Sequence, residues 1–436
     1  MALDYILSRA MKVLGGYPLC DRCLGRLFAR LGYGWSNRER GDAIKRLLVM
    51  ELHSRIREGD RVAAEEFKSL APNIGVQALG LYREIFGDDF EPRECSICGG
   101  RLEKVIDDAV REGERLLRIH DVERFIVGVV ADRGVLELED KIKIEYGLEY
   151  GESIKSEIRR EVGKRLRDRG FTVDFDDPQA MILVGFPSGS VEIQVNSVLF
   201  KARYWKLGRM ISQAYWPTVD GPKYFSVEEA LWGVMRLLGG ESVVVHAAGR
   251  EDVDARMLGT GRPVIVEVKR PRRRRVDLAL VEKEANKGGR GLVVFRFEGH
   301  ATRGEVRLYK EEVATHVKTY KALIALRGEV SRDDVSRLED ELSGRVVLQR
   351  TPSRVLHRRP DILRRKRVHR ITCRAITGSV IECLIRAEGG LYIKELVSGD
   401  DGRTTPSVAE VLGVEARCVE LDVVSVEGPT ETLNSP

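Results

Sequence analysis

Hydrophobic and polar positions along the chain change period twice. Residues 36–57 and 63–86 carry apolar positions at helical spacing beneath Arg-rich polar faces, which predicts solvated amphipathic helices. From about Leu102 strands enter. Residues 125–131 form an apolar run of strand length. Residues 153–168 place Ile154, Ile158, Val162 and Leu166 at helical spacing and stop at Gly170, after which Phe171, Val173 and Phe175 alternate. Residues 181–184 and 191–200 predict two more strands. Further on, Ser226 and Glu229 make a capping box for a helix that runs through Leu238 and ends at Gly239 and Gly240. It delivers the chain into the β-branched run 243–245, which breaks through His246-Ala247-Ala248 into Gly249-Arg250-Glu251-Asp252-Val253-Asp254-Ala255-Arg256. A second apolar run follows at 264–268, so the order is strand, charged loop, strand. Residues 318–324 also read as a strand, and alternation over 392–396 sends Tyr392, Lys394 and Leu396 to one face. The expected fold class is α/β in the α+β sense, its last part a mixed, largely antiparallel sheet crossed at its middle by a cleft.

Size and charge narrow the class of partner. At 436 residues, 43% hydrophobic and 32% charged, the chain can form two or three domains with cores of their own. A net charge of +5 is small for that length, so only clustering can point to nucleic acid. Clusters are present. Residues 269–275 hold six cations in seven positions, and residues 350–370 hold nine Arg or Lys against Asp361 alone. A salt-bridged surface mixes its signs, so these runs read as flexible loops that grip a phosphate backbone. Lys201-Ala202-Arg203-Tyr204-Trp205-Lys206 and Gln213-Ala214-Tyr215-Trp216-Pro217 interleave cations with aromatics. That mixture suits an RNA-facing linker, or else anchors at a domain junction. No apolar run approaches the roughly 18 residues of a membrane span, and Asp4, Arg9 and Lys12 interrupt the N-terminal pattern, so a cytoplasmic protein without a cleaved signal is expected. Asn and Gln number only five each, a balance that leans towards a thermophile.

Two sets of residues carry chemistry. Between the paired strands, residues 250–256 place three carboxylates and two arginines on a loop, either a solvated turn with local ion pairs or a site held by a rigid scaffold. The pairs Cys20/Cys23 and Cys95/Cys98 have the spacing of a tetrahedral four-cysteine zinc site, or of two separate redox pairs. Four thiolates leave no open position for water, so such a zinc is structural. The long gap between the pairs requires the fold to close them across an inserted helical segment. Cys373, Cys383 and Cys418 lie in apolar runs without paired spacing and are expected to be reduced core residues.

Gly249-Arg250-Glu251-Asp252-Val253-Asp254, with Arg256-Met257-Leu258-Gly259, resembles the signature of the Pus-ten family of tRNA pseudouridine synthases, which act on uridines 54 and 55 of the T-arm. The short motif of the wider superfamily is Gly-Arg-x-Asp. The resemblance implies that Asp252 is the catalytic aspartate and that Arg250 helps to hold the target nucleotide out of its helix. Residues 318–324 resemble the second superfamily motif, which makes Tyr320 the ring packed against the flipped base. Residues 389–407 resemble the third, which implies that Lys394 pairs with Asp252, lowering its pKa and orienting it, and that Tyr392 and Leu396 line the base pocket. The run 350–359 is similar to a further family signature. By that comparison Arg354, Arg358 and Arg359 clamp the tRNA arm, and Arg272, Arg273 and Arg274 of the earlier basic run grip it too. Cys20-Asp21-Arg22-Cys23-Leu24-Gly25-Arg26 looks like the family's opening. The organisation implied is a zinc-binding helical region over 1–104, a THUMP-like RNA-binding domain over 105–200 and a catalytic domain over 201–436. The partner implied is tRNA, bound by a monomer with structural zinc and no organic cofactor. Asp254 is expected to be structural and Glu251 to point away from the reaction.

Three other readings meet obstacles in the sequence. A methyltransferase or thiouridine synthase sharing the accessory domain would need a Gly-rich phosphate loop after a strand, and residues 258–262, the nearest match, precede a strand instead. A non-catalytic RNA-binding protein would not depend on Asp252. A zinc deaminase would need a His-x-Glu partner to its Cys-x-x-Cys, which the chain lacks.

Overall fold

The Arg-rich amphipathic runs fold as helices, and each boundary has a local cause. In the computed structural model, which describes residues 2–247, 249–311 and 317–427, the chain begins with α1 (Ala2–Gly16), α2 (Asp21–Arg26) and α3 (Asn37–Arg57). Ala248 of the charged hairpin and residues 428–436 of the third segment lie outside the described residues. Ser36 caps α3: its hydroxyl accepts from the Glu39 amide at 3.2 Å while the Glu39 carboxylate accepts from the Ser36 amide at 2.7 Å. The stretch 63–86, read as one helical pattern, is α4 (Arg61–Ile74) and α5 (Leu79–Phe86), because Gly75 at φ 93° turns the chain between them. α2 and α3 cross at van der Waals contact through two glycines. A Cβ on Gly25 would lie 1.8 Å from the Asn37 carbonyl, and one on Gly41 1.9 Å from that of Asp21.

After α6 (Leu102–Ile119) come β1 (Arg124–Ala131), α7 (Arg133–Glu145), α8 (Ile154–Arg167), β2 (Thr172–Val173), β3 (Ala180–Phe186) and β4 (Val191–Val195). The sheet order is β2-β1-β3-β4, parallel at β1 with β2 and β3 and antiparallel at β3 with β4. Ile158, Val162 and Leu166, the helically spaced residues of α8, are fully buried. One apolar core runs from Leu14 and Leu24 through Val110 to Phe125 and Ile182, joining the helical and sheet parts of this first unit, residues 1–196.

The second unit begins at Ser197, inside the run read as a single strand over 191–200. That run is two strands. β5 (Val198–Lys206) belongs to the second sheet, where it pairs with two neighbours and buries Tyr204 and Lys206, so residues 201–206 are an interior strand and not an RNA-facing linker. β6 (Pro217–Thr218) and β7 (Gly221–Pro222) form a short hairpin, followed by α9 (Val227–Ala230), α10 (Trp232–Leu238), β8 (Ser242–Ala247) and β9 (Arg256–Lys269). Then come α11 (Leu278–Gly289), β10 (Val293–His300), α12 (Arg303–Glu311), β11 (Val317–Leu326), α13 (Arg332–Leu342), β12 (Val346–Gln349), β13 (Arg364–Thr377) and β14 (Val380–Glu388). The chain ends through α14 (Ile393–Ser398), β15 (Thr404–Thr405), α15 (Val408–Leu412) and β16 (Ala416–Glu427). The sheet order is β10-β5-β9-β16-β11-β14-β13-β12-β15, with β8 also on β9. Every pair is antiparallel except β9 with β16, which makes the sheet mixed but largely antiparallel, as expected.

Three expectations are corrected here. Residues 364–370 of the second basic run form the start of strand β13 and are not a loop. Residues 393–398 are helix α14, not a continuing strand. Cys373 and Cys383 face each other across β13 and β14 and are joined in a disulfide, so they are not reduced thiols. No helix of the described residues is long and apolar enough to cross a membrane.

Candidate active site

The charged loop is held from below by a buried cluster that the spacing of the sequence conceals. β8 and β9 pair antiparallel, Val243 opposite Val268 and Ala247 opposite Val264, and residues 249–255 bridge their upper ends. Gly249 sits at φ 83°, which side chains disfavour, and the Ala255 amide donates to the Asp252 carbonyl at 3.1 Å to close a turn. Glu251 turns inward. Its carboxylate accepts from Arg262 Nε at 2.9 Å and from the Tyr204 hydroxyl at 3.0 Å, and lies 3.5 Å from Lys206 Nζ. Lys206 in turn donates to the Asp252 carbonyl at 2.9 Å and the Ile211 carbonyl at 3.0 Å. Burial opposes the charge on Glu251, but Arg262 and Lys206 outweigh it and keep the carboxyl below its ordinary pKa. Burial lowers Lys206 in spite of Glu251 and raises the Tyr204 phenol.

Asp252, next in the chain, faces outward into a cavity of about 660 Å³. Arg354 Nη2 lies 3.0 Å from its carboxylate and Lys394 Nζ 3.5 Å, while Lys394 makes its shorter contact, 2.6 Å, with Asp254. Arg354, expected in a tRNA clamp, is therefore the nearer cation to Asp252. Its Nε also donates to the buried Glu395 at 2.7 Å. Burial alone would lower the pKa of Arg354, but Glu395 and Asp252 raise it, so the guanidinium stays charged. Asp254 is held below its usual range, since the hydrogen bond and field of Lys394 exceed the cost of partial burial. The loop carrying Arg354 is tied down at both ends. Arg403 donates to the Thr351 carbonyl at 2.9 Å and to Asp361 at 2.6 Å, and the Ser353 amide donates to Asp400 at 2.9 Å.

Tyr320, on β11, is 8% exposed and lines the same cavity. Burial pushes its phenol up to about 12; Arg262 opposes that shift, and Asp252 and Glu251 reinforce it. Arg250, Arg358, Arg359, Tyr392 and Lys394 line the cavity as well, and Arg359 donates to the Tyr392 hydroxyl at 2.8 Å. Leu391, Ile393, Leu421 and Val423 supply apolar wall.

Four predicted residues stand elsewhere. Leu396 is fully buried and is not among the cavity-lining residues, because α14 advances about 100° per residue and turns it away from Lys394. Arg272, Arg273 and Arg274 follow β9 and do not line the cavity. The amides of Arg272 and Arg273 donate to the Leu238 carbonyl, and Arg274 is buried with a hydrogen bond to the Ser197 carbonyl at 3.4 Å. Lys206, Arg262, Lys318 and Glu395 join the site although no motif assigns them a role in it. Period-two alternation along β5, β9 and β11 places the first three on inward faces, which is the one signal that could have found them.

In the first unit the two Cys-x-x-Cys pairs meet. All four Sγ atoms of Cys20, Cys23, Cys95 and Cys98 lie within 4.8 Å of one another, with Cys20 and Cys98 at 3.6 Å. The edge of a tetrahedron with metal–sulfur bonds of about 2.3 Å is about 3.8 Å, so the donor set fits a single tetrahedral metal ion.

The Pus10 C-terminal family model matches residues 200–427, and the archaeal Pus10 THUMP domain model matches residues 112–185. The second unit is therefore a pseudouridine synthase domain, preceded by a THUMP domain. The chain belongs to the Pus10 family: it is 63% identical to "tRNA pseudouridine synthase Pus10" of Aeropyrum pernix over 97% of both chains. It is 41% identical to the protein of that name from Ignisphaera aggregans, over 97% of this chain and 99% of that one. Among solved structures, a Cbf5-Nop10-Gar1 complex aligns at a TM-score of 0.31 and 19% identity, covering 52% of this chain and 49% of that one, too distant a likeness to bear on the site.

Proposed function

We propose that this chain isomerises uridine 54, uridine 55 or both in the T-arm of tRNA to pseudouridine, with Asp252 as the catalytic carboxylate. The observation that carries the reading is the position of Asp252 at a cavity of nucleotide size, between the cations of Arg354 and Lys394 and opposite a buried tyrosine. The reaction breaks the bond from ribose C1′ to N1, turns the base and rejoins it through C5. No redox step or group carrier is needed. The target lies inside a folded arm, so it must be extruded. Arg250 at the cavity occupies the space the base vacates, and Tyr320 and Tyr392 offer faces for the extruded ring, with Leu391 and Ile393 closing the pocket where Leu396 was expected. Arg354 and Lys394 orient the Asp252 carboxylate, while Arg358 and Arg359, with Arg272 and Arg273 outside the cavity, meet phosphates of the arm; Arg274, buried against the Ser197 carbonyl, takes no part in that grip.

In the same reading the zinc-binding helical region spans 1–104, the THUMP-like domain 105–200 and the catalytic domain 201–436. Cys20, Cys23, Cys95 and Cys98 would hold a structural zinc, which supplies folding energy to the first unit and no chemistry. The enzyme works in the cytoplasm as a monomer. The test is to incubate the protein with unmodified tRNA and map carbodiimide-reactive pseudouridines. The wild-type chain marks position 54, 55 or both. Asp252→Ala loses turnover by at least about 10⁴-fold while still binding tRNA. Modification that survives in the variant would end the assignment.

A further inference from the structure

Lys318 is a buried cation that the reading above does not use. It lies on β11 two residues before Tyr320, on the same face of the strand, is 6% exposed and lines the same cavity as Asp252. Among the described residues its ammonium has no hydrogen-bond or ion-pair partner. Lys206, another buried lysine drawn to Glu251, is by contrast engaged by backbone carbonyls and that carboxylate. The charged groups around Lys318 are Arg262 from β9 and Lys366 from β13, which repel it, and Glu251 from the loop, which attracts it. Glu251 is already occupied by Arg262 and Tyr204. Glu251 thus stands among the cations of Arg262, Lys206 and Lys318; Asp254, which also draws Lys206, is already held by Lys394, and Lys318 brings its positive charge to the cavity wall. Burial and the two like charges pull the Lys318 pKa down to about 8.

On the reading that the target uridine enters this cavity, we propose that Lys318 is a further catalytic residue: its ammonium donates a hydrogen bond to a carbonyl oxygen of the uracil ring and holds the negative charge that the ring bears while it is detached from the ribose. Breaking the C1′–N1 bond leaves its electron pair on the ring, shared between N1 and the conjugated carbonyl oxygens. Forming the C1′–C5 bond takes a pair back from the ring. C5 then gives up its proton and N1 gains one, so the net change is an isomerisation, and Lys318 ends with the proton it began with. A fixed donor aimed at charge that exists only during the reaction lowers the barrier without tightening ground-state binding.

The test measures single-turnover rates of wild type, Lys318→Met and Lys318→Arg on unmodified tRNA and on tRNA carrying 5-fluorouridine, together with tRNA Kd and Tm. Lys318→Met is expected to lose about 10²–10³-fold in rate on uridine with Kd unchanged, while Lys318→Arg recovers part of that rate. Its Tm does not fall, because the lost group is a buried cation without a partner. On 5-fluorouridine the loss in forming the rearranged base is at least about tenfold smaller, since the fluorinated ring bears negative charge with less help. A Lys318→Met rate near that of wild type, an equal loss on both substrates, or weaker binding at an unchanged rate would each overturn the proposal, the last marking a phosphate contact. A wild-type chain that binds tRNA yet isomerises no uridine would remove the reading of the site itself.

Discussion

Each unit buries a charge cluster built around a fully enclosed arginine, and the two clusters differ in whether they are closed. In the first unit Arg26, with no exposed surface, donates to Glu139 at 2.7 Å and Glu157 at 2.9 Å, and Arg22 reaches Glu157 and Glu103. Arg26 also lies 3.6 Å from the Cys23 sulfur. Arg165 also meets Glu103 and Lys143 lies 3.6 Å from Glu139, so every carboxylate faces at least one cation and the cluster ties α2, with its cysteine knuckle, to α6, α7 and α8 and asks for nothing further. The cluster under Asp252 has the same chemistry but an excess of cations, and it opens onto a cavity. A buried ion pair is poor evidence of stability, and one left unbalanced beside a cavity is better read as a place waiting for charge. The comparison therefore separates scaffold from site without reference to any motif.

The largest expected effect tests the closed cluster. Arg26→Met leaves Glu139 and Glu157 buried without their main cation and should cost about 3–5 kcal/mol of stability in chemical denaturation followed by circular dichroism. If the cluster is only scaffold, the chemical rate constant of the folded variant on tRNA stays at the wild-type value. A smaller stability loss, about 2–4 kcal/mol, is expected for Glu251→Gln, which keeps the shape but removes the negative charge facing Arg262 and Lys206 and one of the two acceptor oxygens. Here the rate should fall as well, because Lys206 is the donor that fixes the Asp252 carbonyl. A Glu251→Gln enzyme that is less stable yet fully active would make the two clusters equivalent and break the comparison.

The smallest effect concerns pH. Lys318 has a folded pKa near 8, below that of an exposed lysine, so the folded chain binds fewer protons than the unfolded chain from about pH 8 to about pH 10.5. The penalty for burying the ammonium is then fully present below pH 8 and fades as pH rises through that window. Lys318→Met should accordingly be more stable than wild type at pH 7, with the difference shrinking by pH 10 in parallel urea titrations. The pH profile of kcat/KM for wild type should fall above about pH 8, and Lys318→Arg should move that limb upward.

Fold class and motif chemistry were legible in the sequence because they depend on near neighbours. Period-two alternation predicts the paired strands around Asp252, a capping box predicts the start of α9, and two-residue spacers predict that each cysteine pair faces one ion. Where the local pattern is ambiguous, tertiary packing decides. Tyr392-Ile393-Lys394-Glu395-Leu396 alternates like a strand over too few residues to exclude a helix, and α14 turns Leu396 into the core. Cys373 and Cys383, ten residues apart, become cross-strand partners only once β13 and β14 pair in register.

What the sequence by itself determined, then, is which residue types stand ready on which local element: the aspartate on its hairpin loop, the tyrosine on its strand, the four thiols on two knuckles. The tertiary structure alone decided which charges meet. Arg354 and Asp252 are far apart along the chain, as are Glu251 and Lys206, and their contacts arise only when loops from separate strands converge over one sheet. Coulomb energies depend on distance in space and on burial, neither of which a linear pattern records.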